Sequence, residues 1–184
     1  MKKAVIYLAP GTEECEALLC ADLLRRAEVE VTLAAVGGSR ELTTSHGVTL
    51  RADALAEETD AAAQDLLVLP GGWPGTRHLE DSPAVQAAIR AFAAEGKPIA
   101  AICAAPSILG HLGLLRGRRA TAFPNFRDQL TGAVLTEGDV VRDGPYLTAP
   151  GLGAAIPFAL ALVETLRGPA AAKDVAERIG WHHP

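Results

Sequence analysis

Aromatic side chains are scarce in this chain: two Trp, two Tyr and four Phe make up 4% of its 184 residues. An interior must therefore be built from Ala, Leu, Val and Ile. Basic patches interleaved with aromatics, the usual footprint of nucleic-acid binding, are absent. Positive charge is also in deficit. Seventeen Lys and Arg against 22 Asp and Glu leave a formal charge of −5, which disfavours nucleic-acid binding and favours solubility. No apolar run approaches the ~20 residues of a membrane span. The opening "MKKAVIYLAPGTEE" superficially resembles a signal peptide. Its apolar run stops at Pro10 and Gly11 and meets two acids with no small-residue cleavage pattern, so a first β-strand is the better reading. Cysteine is limited to Cys15, Cys20 and Cys103, an odd set without a C-x-x-C pair. That argues against a disulfide framework or a zinc site and suits a reducing cytoplasm. His46, His78 and His111 are isolated, without metal-ligand spacing, and His182 and His183 belong to a terminal "WHHP" expected to fray. No metal or cofactor is expected.

What is present is an ordinary globular composition, 49% hydrophobic and 21% charged. A chain of this length buries roughly 70% of its unfolded surface and needs no staple. Residues 1–184 are read as one domain. Strands are expected at Lys3 to Ala9, Glu30 to Val36, Asp65 to Pro70 and Pro98 to Ile102, with short strands or a hairpin in "ELTTSHGVTLRAD" and further strands in "RATAF" and "AVLTEGDVVRDGPYLTA". Between and after them lie helical patterns: one capped by Thr12 and running to about Ala27, one opened by Ser82 and Pro83 and closed by Gly96, one in "APSILGHLGLL", and two at the C-terminus. Continuously apolar strands separated by helices imply an α/β fold. The expected form is a flavodoxin-like, doubly wound, mostly parallel sheet sandwiched by helices.

Sites in such folds lie where strand carboxyl ends lead into helices. Three stretches converge there: "GTEECEA", "LPGGWPG" and "AICAAPS". Cys103 sits where a strand becomes a helix, as the nucleophile does in a strand–turn–helix elbow. A helix N-terminus would favour its thiolate. At a pKa near 8.5 only about 3% of a thiol is ionised at pH 7, against roughly 90% at a pKa of about 6. The alternative is a buried, inert core cysteine. Glu16 shares a helical stripe with Leu19, Cys20, Leu23, Leu24 and Ala27, so its carboxyl is expected to point inward, whereas Glu14 aligns with Asp22 and Arg25 on a wetter side. A protonated Glu16 could donate to a Cys103 thiolate; alternatively its carboxylate accepts backbone N–H bonds from a turn. Gly71 and Gly72, with Ala104, offer backbone N–H groups for an oxyanion, or simply form tight turns. Trp73 lines the mouth or packs on the surface, Cys15 lies on another helical face, and Cys20 reads as core.

Together, "LAPGTEECEA", "LVLPGGWPG" and "AAICAAPSIL" resemble the ThiJ/PfpI superfamily (class I glutamine amidotransferase-like), and within it the DJ-one/YajL-like branch. "TAFPNFRDQL" and the segment from Val140 through the final helix extend the resemblance over nearly the whole chain. It implies that Cys103 is the reactive cysteine, that Glu16 hydrogen-bonds it, and that Gly71 and Gly72 are the paired glycines behind the site. It further implies a homodimer, oxidation of the cysteine to a sulfinate, and glyoxalase, protein deglycase or chaperone activity in stress protection. Two departures stand out. Phe123-Pro124 replaces the His-Pro of some members, which argues against a hydrolytic triad and peptidase activity. "GLGA" (Gly151 to Ala154) replaces a frequent "GPGT" and removes a hydroxyl near the pocket.

The expected function is cysteine-dependent chemistry on a small reactive carbonyl or a glycated substrate, with Cys103 as nucleophile, Glu16 moving a proton and Gly71, Gly72 and Ala104 steadying an oxyanion. The rival from another class is a redox-responsive chaperone or sensor that uses Cys103 oxidation without turnover.

Overall fold

A computed structural model of the chain describes residues 1–182. Its strands are β1 (Lys3–Leu8), β2 (Glu30–Ala35), β3 (Glu41–Thr43), β4 (Thr49–Arg51), β5 (Ala54–Leu55), β6 (Leu66–Leu69), β7 (Ile99–Ile102), β8 (Arg119–Ala120), β9 (Val134–Leu135), β10 (Val141–Asp143) and β11 (Tyr146–Ala149). The helices are α1 (Glu14–Arg26), α2 (Gly75–Asp81), α3 (Pro83–Glu95), α4 (Pro106–His111), α5 (Ala155–Arg167) and α6 (Pro169–Arg178). Seven strands form the main sheet in the order β10-β11-β7-β6-β1-β2-β5, parallel except for β10 against β11. This is the α/β, flavodoxin-like arrangement that the alternation of apolar strands and helices implies. β3 and β4 make the expected antiparallel hairpin.

The central strand shows why both sheet faces are covered. In β1, Ala4, Ile6 and Leu8 enter one apolar cluster with α1 and α5, while Val5 and Tyr7 enter the other with α3 and α4. Alternate side chains of a strand face opposite ways, so a strand with no polar phase requires helices on both sides. β1 has β2 on one flank and β6 on the other. The chain thus winds outward from this point in both directions, and the loops after β1, β6 and β7 meet at one edge.

Several local expectations are corrected. The cap of α1 is Glu13, whose carboxylate accepts the Glu16 N–H at 2.7 Å; Thr12 instead turns back to accept the Ala9 N–H at 2.9 Å. "GGWPG" is more than a turn, because α2 begins at Gly75 with no polar cap to announce it. "RATAF" contributes only the two-residue β8, and α4 lasts only six residues. Ser82 does cap α3, and Gly96 does close it in the left-handed conformation. No helix among the described residues is long and apolar enough to cross a membrane. Of the two histidines in "WHHP", His182 is exposed and His183 lies outside the described residues.

Candidate active site

Cys103 follows β7 directly and has a positive φ of 65°, where a residue with a side chain costs about 1–3 kcal/mol. Neighbouring backbone bonds hold it there: its N–H donates to the Ala149 carbonyl at 2.9 Å, and its carbonyl accepts the Phe123 N–H at 2.8 Å. Ala104 and Ala105, both buried, leave room for the bend. The turn expected from the sequence is therefore present, and it carries the sulfur out of the strand line. Backbone N–H groups of Gly72 and Ala104 lie near enough to that sulfur to favour its charged form.

Glu16 lies in the first turn of α1 and is 1% exposed. Its inward direction follows from the apolar stripe it shares with Cys20, Leu23 and Leu24, all buried. The Glu16 Oε2 atom accepts the Gly71 N–H at 2.9 Å, and the carboxyl also lies within hydrogen-bonding reach of the Cys103 side chain. Its other oxygen, Oε1, is buried without a hydrogen-bond partner. The second arrangement considered for Glu16, a carboxylate accepting a turn N–H, is thus present, with the thiol of Cys103 beside it. Gly71 makes the approach possible. A carbon added to it would stand 2.6 Å from Cys103 Cβ and 2.8 Å from Glu16 Oε2. The neighbouring Gly72 has φ 89° and packs so tightly on the Gly11–Glu13 backbone that an added carbon would lie 2.3 Å from the Glu13 nitrogen. Of the three expected backbone donors, Gly71 is taken by Glu16, and Gly72 and Ala104 face the sulfur.

Burial, and then the nearby Glu13 charge, raise the Glu16 carboxyl to about 7 from 4.5, against the lowering effect of the Gly71 N–H. Burial, and then the Glu16 carboxylate, push the Cys103 thiol up to about 12, while the Gly72 and Ala104 N–H groups pull it down. The sequence expectation of a low thiol pKa set by a helix N-terminus is therefore corrected. Cys103 precedes the six-residue α4 by two intervening residues, and burial beside an acid raises its thiol. The carboxyl therefore ionises before the thiol, and its charge then opposes a thiolate beside it.

Glu14, expected on a wetter face, is buried, its side chain only 11% exposed, and Ser45 donates to its Oε2 at 3.3 Å. The β3–β4 hairpin folds over the start of α1, and a helical stripe cannot reveal a covering loop. The same hairpin brings His46 to Glu13 and Glu14, so that their potential ligand atoms lie within 4.8 Å of one another. Sequence distance hid this cluster, which has the donor set to hold a cation. Cys15 is exposed and Cys20 fully buried, as core was expected to be. Trp73 is 60% exposed, its ring 5.7 Å from that of Phe126 and tilted 45° to it. His78 bonds the Pro10 carbonyl at 2.8 Å and His111 meets Glu80 at 2.6 Å, both remote in role from the thiol.

Comparison with known proteins agrees with this fold. The model of the DJ-1/PfpI family matches residues 2–165. Protein dj-1beta of Drosophila melanogaster is 36% identical over 178 residues, covering 96% of this chain and 95% of the relative. A deglycase of Pyrococcus abyssi is 39% identical over 110 residues, 59% of this chain and 66% of that protein. Among solved structures, oxidized Toxoplasma gondii DJ-1 superposes with a TM-score of 0.96 at 37% identity, over 100% of both chains.

Proposed function

This chain belongs to the DJ-1/PfpI family, and from that premise we propose that it is a cysteine-dependent enzyme converting reactive α-oxoaldehydes, free or as adducts on amines and thiols, into 2-hydroxy acids. The observation that carries this reading is the shared approach of Glu16 and Cys103 across Gly71, with two backbone N–H groups turned to the sulfur. A relative named as a deglycase supports the substrate class.

The chemistry follows from the two protonation states. The Cys103 sulfur attacks the aldehyde carbon as Glu16 takes the thiol proton; an S–C bond forms and the carbonyl electrons move to oxygen, which is then protonated. The result is a hemithioacetal, and its formation needs no standing thiolate, in keeping with a thiol raised to about 12. Glu16 next removes the proton on the former aldehyde carbon and delivers it to the adjacent ketone carbon, while the hemithioacetal hydroxyl proton passes to the ketone oxygen, leaving a thioester carbonyl beside a hydroxyl-bearing carbon. The first carbon is oxidised and the second reduced by the same electron pair, so no external redox agent is required. Water cleaves the thioester, releasing the 2-hydroxy acid and the thiol. A carboxyl near 7 is suited to giving and taking a proton at neutral pH. Methylglyoxal with wild-type protein should yield lactate well above the buffer rate. Equal rates for wild type and Cys103→Ser would remove the proposal.

One observation favours a second reading: the donors converge on the sulfur itself. Peroxide could oxidise it stepwise, one equivalent giving a sulfenic acid plus water and a second the sulfinic acid plus water, with the anion held by Gly72, Ala104 and protonated Glu16. Oxidation without carbonyl turnover would select this reading.

A further inference from the structure

Beside Cys103 lies an open cavity of about 510 Å³ lined by Phe123, Pro124, Pro150, Leu152 and Ala154, with Asp139 the only ionisable lining residue among the described residues. Gly151 joins it to the thiol: a carbon added there would stand 4.0 Å from Cys103 Sγ and 3.4 Å from Phe123 Cδ2. Phe123 and Leu152 are 42% and 50% exposed, apolar surface that a ligand would cover. The size falls within the range of small-molecule sites. Among the described residues no cation lines it to receive an anionic group, and the one ionisable group present, Asp139, is acidic.

We propose that this cavity receives the uncharged apolar substituent of the substrate, so that the chain selects α-oxoaldehydes carrying an aryl or branched alkyl group over methylglyoxal and rejects those carrying a carboxylate. Phe123 and Leu152 are then specificity-determining residues. They occupy the two places where the chain departs from its family resemblance, at Phe123-Pro124 and within Gly151 to Ala154. The inference rests on the reading of Cys103 chemistry above and adds no new step: phenylglyoxal plus water gives mandelate, as methylglyoxal plus water gives lactate.

The test compares kcat/KM for methylglyoxal, phenylglyoxal and 4-carboxyphenylglyoxal in wild type, Phe123→Ala and Leu152→Ser. One methylene in an apolar pocket is worth about 10–200-fold, so a ring held there should favour phenylglyoxal by at least about tenfold. Either substitution should reduce the ratio of the phenylglyoxal to the methylglyoxal kcat/KM about fivefold or more, and in wild type the carboxylated ring should lose most of the advantage. A preference untouched by both substitutions, or an equally good carboxylated substrate, overturns the inference. A second readout separates it from the parent reading. Acetophenone, which cannot be turned over, should slow iodoacetamide labelling of Cys103 more than acetone does, and Leu152→Ser should abolish the difference. Protection without any turnover would keep the apolar site and discard the enzyme; turnover without protection or aryl preference would do the reverse.

Discussion

Two cysteines flank the same carboxyl. Cys20 lies one turn beyond Glu16 on the buried stripe of α1, and Cys103 stands on the bend after β7. Burial and then the Glu16 charge push both thiols up. An acid beside a sulfur therefore does not activate it; as a charge it opposes a second charge. What Cys103 has and Cys20 lacks is a pair of backbone N–H groups aimed at the sulfur and an opening past Gly151 to the surface. Cys20 is 0% exposed among leucines and alanines, where nothing could reach it. Reactivity at this edge is a property of the bend and the donors, with the acid acting as a proton relay.

The sharpest way to break that contrast is to remove each sulfur separately. Cys103→Ser should abolish α-oxoaldehyde turnover, a loss of roughly 10³-fold or more. Cys20→Ser should keep kcat within about twofold and cost on the order of 1 kcal/mol of stability, the usual penalty of a poorly satisfied buried hydroxyl. Comparable losses from both would mean that position at the bend is irrelevant. Next in size is the relay itself. Glu16→Gln keeps the shape and the Gly71 bond but cannot take a proton, so kcat should fall about 10²–10⁴-fold. In wild type kcat/KM should rise with pH through about 7 as Glu16 ionises, and the variant should lose that limb. A retained limb would place the titrating group elsewhere.

Gly71→Ala sharpens the comparison from the packing side. The added methyl meets Cys103 Cβ at 2.6 Å and Glu16 Oε2 at 2.8 Å, so one of the two must move. Overpacking of this kind costs about 3 kcal/mol. Denaturant unfolding should show that loss, and the surviving folded protein should have separated its acid from its thiol. A neutral substitution would show that the two do not meet across Gly71.

How much of this was legible in the sequence differs between the two regions. The bend at Cys103 was legible, because an apolar strand followed by Ala, Ala and Pro leaves few other conformations. The inward aim of Glu16 was legible as well, since helical spacing alone places it with Cys20, Leu23 and Leu24. Glu14 was misread, because its burial comes from the β3–β4 hairpin folding over α1 from about thirty residues away, and periodicity carries no information on what covers a face. The Glu13–Glu14–His46 cluster was hidden for the same reason. The cap was assigned to Thr12 on side-chain preference, whereas the bond Thr12 makes to Ala9 leaves Glu13 as the residue in reach. The thiol's raised pKa escaped because desolvation is a tertiary quantity; local sequence shows the short helix ahead but not the walls around the sulfur.

A smaller effect than that of Gly71→Ala lies in the pH dependence of stability, and it tests whether the carboxyl near Cys103 is held neutral. Glu16 is raised from 4.5 to about 7 on folding, so between those values the folded chain binds a proton that the unfolded chain has released. Folding stability contributed by the protonated carboxyl is therefore complete below about 4.5 and is lost as pH rises through about 7. At 1.36 kcal/mol per pKa unit, wild type should lose about 2 kcal/mol relative to Glu16→Gln between pH 5 and pH 8. Urea midpoints of the two proteins should thus diverge with rising pH, the variant becoming the more stable. The opposite trend, wild type gaining on the variant above pH 5, would mean that the folded site prefers the carboxylate. The Gly71 N–H would then outweigh burial, and the acid would sit beside Cys103 as a fixed charge unable to exchange the proton on which the contrast with Cys20 depends.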